Sequence, residues 1–265
     1  MKIKKKLTEL RVFPSKKKGQ NFLHDRGIIN NLVSSILSLN PLNIIEIGPG
    51  LGAVTDLIDG QLKSRNYKLI EIDKLLYDYL RTKKYCCEIF HGDCLKLNWP
   101  DLTNNEKFLL FGNLPYNIGT LVLVKWINCQ YSDTAIFMLQ RELVDRLTSS
   151  IKTKTYSGIS VITQLTTDVF KLFSVPKEAF YPKPNVESIV VKLVKKSTIC
   201  HNLQKFIRDC FVHRRKTLFN NLQKTYNEKK IISTFEKYNL AKAIRAEEIK
   251  ASLFVDLYNE ISNPL

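Results

Sequence analysis

Asn113-Leu114-Pro115-Tyr116 joins a side-chain amide, a proline-fixed backbone and an aromatic ring, directly after the apolar run Phe108-Leu109-Leu110-Phe111-Gly112. Such a run reads as a buried strand, and ligands in open α/β sheets bind where strands end. The chemistry these residues suit is gripping an exocyclic amino group on a flat base. The Asn113 side-chain carbonyl and the Leu114 backbone carbonyl can accept its two hydrogens. Pro115 helps fix the backbone so that the Leu114 carbonyl faces inward. Tyr116 can stack on the base, a contact worth about 1–3 kcal/mol in single-strand binders. The lone pair of a purine amino group is delocalised into the ring, so the nitrogen is a poor nucleophile. Two acceptors favour a pyramidal nitrogen whose lone pair points at an incoming methyl group. Acceleration then comes from orientation and electrostatic fit, and a strong general base is not required.

Three earlier strand ends carry further functional groups. Glu46-Ile47-Gly48-Pro49-Gly50-Leu51-Gly52-Ala53 is a glycine-rich turn that lets backbone approach a ligand. Gly48, Gly50 and Ala53 satisfy the dinucleotide fingerprint, while Pro49 and Gly52 suit the ExGxGxG loop that holds the methionine half of S-adenosylmethionine. Glu71-Ile72-Asp73 follows Gly48 by 23 residues, one βα unit. An acid there accepts hydrogen bonds from both ribose hydroxyls of any adenosine cofactor. Gly92-Asp93-Cys94 comes 22 residues after Glu71, and Asn113 another 20 after Asp93. Asp93 suits the adenine amino group. A group delivered at a nearly constant interval by successive strands is far less expected by chance than any one match.

The elements that must position these groups follow from periodicity. Short apolar runs at 44–47, 69–72, 89–90, 108–111 and 135–139 alternate with helix-length segments, which means βαβ units and a mainly parallel sheet. Asp25 is placed to cap a helix over 26–38. Val169 to Phe173 and Ile189 to Val194 have no helix between them, so they are expected as an antiparallel pair closing the sheet edge. From residue 202 the period is helical. The expected organisation is a flexible basic arm at 1–20, an α/β domain at 21–197 and an all-helical domain at 201–265.

The 265 residues carry a formal charge of +16, and 44% are hydrophobic. The first is the footprint of a polyanionic partner, nucleic acid foremost; the second argues against disorder. Cys86, Cys87, Cys94, Cys129, Cys200 and Cys210 form no CxxC pair and match no zinc spacing with the histidines, so they read as reduced thiols of a cytosolic protein and no metal is expected. No apolar run is long enough to span a membrane. The lysine-rich start has no apolar segment of the secretory type.

Taken together the motifs resemble the small-subunit (16S) rRNA adenine N6,N6-dimethyltransferases from about residue 16 to 260. Besides the four strand ends, the matching segments are Lys18 to Leu23, Met138 to Leu147, Tyr156 to Val161, Val175 to Ser188, Arg214 to Leu218 and Arg245 to Glu248. The resemblance implies a Rossmann-like class I methyltransferase with a mainly parallel seven-stranded sheet and a small C-terminal helical, RNA-binding domain. It implies dimethylation of two adjacent adenines in a hairpin loop near the 3′ end of small-subunit rRNA, with S-adenosylmethionine as methyl donor. It also implies a role in subunit maturation, in the cytoplasm, by a monomer. Asn21, Leu23, Gly48, Gly50, Glu71, Asp93 and Asn113 would contact the cofactor. Asn113, Leu114, Pro115 and Tyr116 would handle the target adenine, with Phe180 flanking its pocket. Lys16, Lys17, Lys18, Arg214, Arg215 and Lys216 become expected phosphate contacts. One departure is Gly119, where the family usually has serine; the reacting groups are untouched. The alternatives are a large-subunit methylase of the related resistance type, a non-catalytic RNA-binding assembly factor and a nicotinamide oxidoreductase. The full-length helical domain, the intact tetrapeptide and the combination of motifs, respectively, argue against them.

Overall fold

A parallel sheet buries both faces, so its strands are continuous apolar runs covered by helices. A computed structural model of the chain describes residues 2–14, 19–61 and 66–262. Its strands, in chain order, are β1 Phe22–Leu23, β2 Asn43–Ile47, β3 Asn66–Glu71, β4 Glu88–His91, β5 Leu109–Asn113, β6 Thr134–Gln140, β7 Thr167–Val175, β8 Phe180–Tyr181 and β9 Ser188–Lys195. Seven of them form one sheet in the order β4-β3-β2-β5-β6-β9-β7. The first five are parallel. β9 runs antiparallel to β6, leaving β7 at the outer edge. Ile44, Ile45, Leu69, Leu110, Phe137, Val190 and Val191 are fully buried and make the central strands a two-sided core. The expected helix at 26–38 is Arg26–Leu37, and the Asp25 carboxylate caps it by accepting the Ile28 N–H at 2.9 Å.

The chain divides into two compact units, 1–144 with 169–194 and 145–168 with 195–265. The second unit begins earlier than the expected boundary near 200 and recruits 145–168. The reason is local bonding inside that unit. The Tyr156 hydroxyl donates to the Ile249 carbonyl at 3.0 Å, and the Lys152 N–H donates to the Glu247 carbonyl at 2.8 Å. Its helix His201–Cys210 buries Leu203, Phe206, Ile207 and Cys210, as the spacing predicts. In the helix Ala251–Ser262 the buried face is Phe254, Leu257 and Ile261.

The N-terminal arm is a second correction. Lys2–Glu9 is a helix. Ile3, Leu7 and Leu10 lie at i, i+4 and i+7 between the lysines, and Leu7 and Val12 are buried against Phe22 and Leu76. An eight-residue helix is marginal alone, so this packing is what holds it.

Candidate active site

β2 has β3 on one side and β5 on the other, so the connections leaving it diverge and open a crevice at the carboxyl ends of these strands. The turn after β2 places Gly48, Gly50 and Gly52 at φ +67°, +60° and +80°, a region only glycine enters without strain. The Gly48 N–H is tied back to the Ile70 carbonyl and the Gly52 N–H to the Pro49 carbonyl, each at 2.9 Å. A side chain at Gly52 would run into the Tyr85 hydroxyl, whereas at Gly48 it would meet nothing within 4 Å. Gly48 therefore presents bare backbone to open space.

Glu71 closes β3 and is buried. Its two oxygens accept the Gly50 N–H at 3.1 Å and the Asp73 N–H at 2.9 Å. Burial raises its carboxyl above the ordinary value, and the two backbone bonds partly oppose this. An ionised carboxylate has about four acceptor sites, so each oxygen retains capacity toward the crevice. Ile72 beside it is 58% exposed, an apolar wall at the rim. Asp93, after β4, accepts the Leu95 N–H at 2.9 Å. The loop behind it is clamped from the helix Gly119–Asn128. Lys125 donates to the carbonyls of Cys94, Leu95 and Leu97, the first two at 3.0 and 2.9 Å, and stands over the Trp99 ring. Trp99 Nε1 donates to the same Cys94 carbonyl at 2.9 Å.

Glu46 lies beneath the glycine turn. Burial pushes its carboxyl up to about 7, against hydrogen bonds from the Tyr67 and Thr55 hydroxyls that favour the ionised form.

The other end of the crevice is the Asn-Leu-Pro-Tyr turn after β5. Asn113 Nδ2 donates to the Asn21 carbonyl at 3.1 Å, which leaves Oδ1 as the acceptor the amide offers the crevice. The Leu114 N–H donates to the Met138 carbonyl at 3.2 Å. The Tyr116 hydroxyl shares a hydrogen bond with Ser188 at 3.1 Å, and burial raises its pKa, so the ring is pinned and neutral. Gly19, at φ +62°, sits against this turn so closely that a Cβ would lie 3.0 Å from Pro115 Cβ. Gln20 donates to Asp73 at 3.2 Å. Residues 19–23 thus bind both ends of the crevice.

Nine of the residues expected from sequence line this one crevice: Asn21, Gly48, Gly50, Glu71, Asp93, Asn113, Leu114, Pro115 and Tyr116. Leu23 lines an adjoining cavity with Glu46, Gly48 and Gly50. Phe180 pairs with Leu23, is 3% exposed and belongs to the same buried cluster as Ile29, Leu32 and Val33; it is not among the residues lining the crevice. Lys16, Lys17 and Lys18 lie outside the described residues. Arg214, Arg215 and Lys216 are exposed in the helical unit, Arg214 pairing with Glu247 at 3.1 Å. The sequence reading missed Gln20, Lys125 and the hydroxyl role of Ser188. Each acts through a partner remote in sequence, although Gln20 and Ser188 sit inside motifs it quoted. Among the described residues no group of three His, Cys, Asp or Glu could hold a metal ion, and no helix is long and apolar enough to cross a membrane.

A family model described as ribosomal RNA adenine dimethylase matches residues 14–263. Proteins named ribosomal RNA small subunit methyltransferase A are similar along most of their length. The one from Mycoplasmoides gallisepticum is 37% identical, covering 94% of this chain and 93% of its own. The one from Mycoplasma genitalium is 34% identical over 95% and 97%. Among solved structures, a dimethyladenosine transferase from Plasmodium falciparum has a TM-score of 0.72 at 23% identity, covering 90% of this chain and 96% of that one. The 23S rRNA methyltransferase ErmE has a TM-score of 0.65 at 20% identity, over 92% and 100%. At these identities the two structures speak for the fold alone, a Rossmann-like class I methyltransferase.

Proposed function

The chain belongs to the ribosomal RNA adenine dimethylase family, and from that premise we propose that it methylates N6 of two adjacent adenines in the 3′-terminal hairpin loop of small-subunit rRNA. The products are N6,N6-dimethyladenosines. The observation that carries this reading is the Asn113 amide, whose nitrogen is engaged by the Asn21 carbonyl so that its oxygen is left to accept from an amino donor. The names of the full-length relatives support the small over the large subunit.

The crevice suits S-adenosylmethionine. Open space over Gly48 admits a ligand against bare backbone. The Glu71 carboxylate would accept hydrogen bonds from the ribose hydroxyls, and Asp93 with the exposed Ile72 offers an acceptor and an apolar wall to an adenine. S-adenosylmethionine, when bound, supplies a methyl group on a positively charged sulfur. This chain's own part is to align the nitrogen. Asn113 Oδ1 and the Leu114 carbonyl accept the amino hydrogens, and Tyr116, braced by Ser188, stacks on the base. No side chain need act as a strong base, because the methylated amine readily gives its proton to water. A loop adenine leaves its stack more cheaply than one in a duplex, and the basic surface, Arg214, Arg215 and Lys216 included, offsets that cost through phosphate contacts. In this reading the protein acts as a cytoplasmic monomer on the assembling small subunit.

The test is to incubate the protein and labelled S-adenosylmethionine with unmodified small subunits and identify the nucleosides after digestion. N6,N6-dimethyladenosine is expected. Asn113→Ala should lower kcat by about 10²–10³-fold, the scale of losing one aligned polar group, with a smaller change in cofactor affinity. No dimethyladenosine from the unaltered protein, or an Asn113→Ala variant as fast as it, would refute the assignment.

A further inference from the structure

A broad groove runs along the outside of the glycine turn, walled by the helix Lys2–Glu9, the start of the helix Arg26–Leu37 and the end of the helix Lys74–Thr82. It shares Leu23, Leu51 and Ala53 with the cavity beside the cofactor crevice, so the two are contiguous. Lys4, Lys6, His24, Arg26 and Lys83 line it, with Asp56 as its one acid. Asp56 is already met: Lys83 Nζ lies 2.8 Å from both its oxygens. Lys6 stands over the Tyr79 ring at 4.8 Å and only 3.8 Å from Glu9. The exposed Lys4 and Arg26 side chains have no acidic partner among the described residues. The groove therefore holds uncompensated positive charge.

The helix is held so as to display that charge. Leu7 is buried against Phe22 and Leu76, with Ile3 packed alongside, which fixes the helix while Lys4 and Lys6 line the groove. Burying apolar stems while cations stay in water is the ordinary compromise of a lysine-rich amphipathic helix. A surface that collects cations beside a crevice for a nucleic-acid base is an electrostatic footprint for phosphates.

We propose that this groove is a docking site for the sugar-phosphate backbone of the rRNA substrate, separate from the helical unit's Arg214-Arg215-Lys216 segment. The proposal rests on the reading of the chain as an rRNA methylase and adds a second place where the RNA is held. Its contacts are to phosphate, so they set affinity and register but read no base.

The experiment compares the unaltered protein with a triple variant, Lys4→Ala, Lys6→Ala and Arg26→Ala, on unmodified small-subunit rRNA across a salt series. A control variant removes the same charge elsewhere, at Lys107, Lys171 and Lys192. Three lost phosphate contacts should reduce the slope of log affinity against log salt by about 2–3. KM for small subunits should rise at least about 10-fold, while kcat and S-adenosylmethionine affinity stay within about twofold. Lys4→Arg with Lys6→Arg should behave as the unaltered protein, which separates charge from any disturbance of the helix. An unchanged slope and KM in the triple variant, or an equal loss in the control, overturns the groove. So does a groove that binds polyglutamate but contributes nothing to RNA binding, since that outcome assigns it to an acidic polypeptide. If the triple variant loses slope and affinity for rRNA as expected but the unaltered protein yields no dimethyladenosine, the methylase reading fails while the groove stands.

Discussion

The two ends of the crevice are built from different distances in sequence. At the cofactor end Glu71, Glu46 and Asp93 are satisfied locally. Glu71 is bonded to Gly50 and Asp73, Glu46 to Thr55 and Tyr67, and Asp93 to Leu95, with no partner more than 21 residues away. At the base end, Asn113 depends on Asn21, 92 residues earlier, and Tyr116 on Ser188, 72 residues later. The first end forms with its βα units. The second is complete only when the N-terminal segment and β9 have both arrived. Changes at the cofactor end should therefore show in stability and cofactor binding, and changes at the base end in kcat.

Glu46 gives the largest expected effect on stability. Its folded-state carboxyl is raised from the ordinary 4.5 to about 7, chiefly by burial. Between those values the folded protein binds more proton than the unfolded chain, so stability falls as pH rises through that window and stays lowered above it. Glu46→Gln removes the titration yet keeps a single oxygen to accept from both Thr55 and Tyr67, which converge on Oε2. The variant should match the unaltered protein near pH 4.5 and exceed it by up to about 3 kcal/mol near pH 8. Denaturant midpoints at the two pH values decide it; a difference that does not grow with pH would mean Glu46 is ionised at little cost.

Lys125 probes a second link between the ends, beside residues 19–23. It rides on the helix that follows the base turn, yet its ammonium holds three carbonyls of the loop behind Asp93. Lys125→Met keeps the stem and removes the donors. KM for S-adenosylmethionine should rise about 10-fold, equivalent to about 1.4 kcal/mol, with kcat within about threefold and partial recovery in Lys125→Arg. Steady-state kinetics with saturating small subunits separates the outcomes. A fall in kcat with KM unmoved would place the lysine's effect at the base turn and blur the division between the ends.

The same division explains what the sequence made legible. The strands and the four groups at their ends follow from apolar runs and a repeat of 20–23 residues, because a βα unit has a nearly fixed length. Leu23 and Phe180 could not be placed this way. They belong to a two-residue pairing of β1 with β8 that sends the Phe180 ring inward. A two-residue strand has too little alternation to reveal its face. The helix Lys2–Glu9 was hidden for another reason: its apolar stripe is diluted by four lysines, and composition outweighed spacing. The early start of the helical unit is likewise a matter of partners, Tyr156 and Lys152 reaching Ile249 and Glu247 nearly a hundred residues on.

Gly119 offers the smallest effect and the finest test of the base end. It opens the helix Gly119–Asn128, whose preceding residue, Ile118, supplies no side-chain cap. Its φ is not in the left-handed region, so serine fits the backbone. A Cβ there would lie 3.2 Å from Leu143 Cδ2 and 3.6 Å from Leu139 Cδ2, the ends of two flexible side chains that need yield only slightly. The contacts described here for the reacting turn run through Asn21, Met138 and Ser188, and none passes through residue 119. Restoring the hydroxyl with Gly119→Ser should therefore change the unfolding free energy by less than about 1 kcal/mol, the scale of a glycine exchange in a helix. It should leave kcat on small subunits within about twofold. A tenfold gain in kcat would show that the turn is under-braced in this chain and that the three long-range contacts do not suffice to hold it.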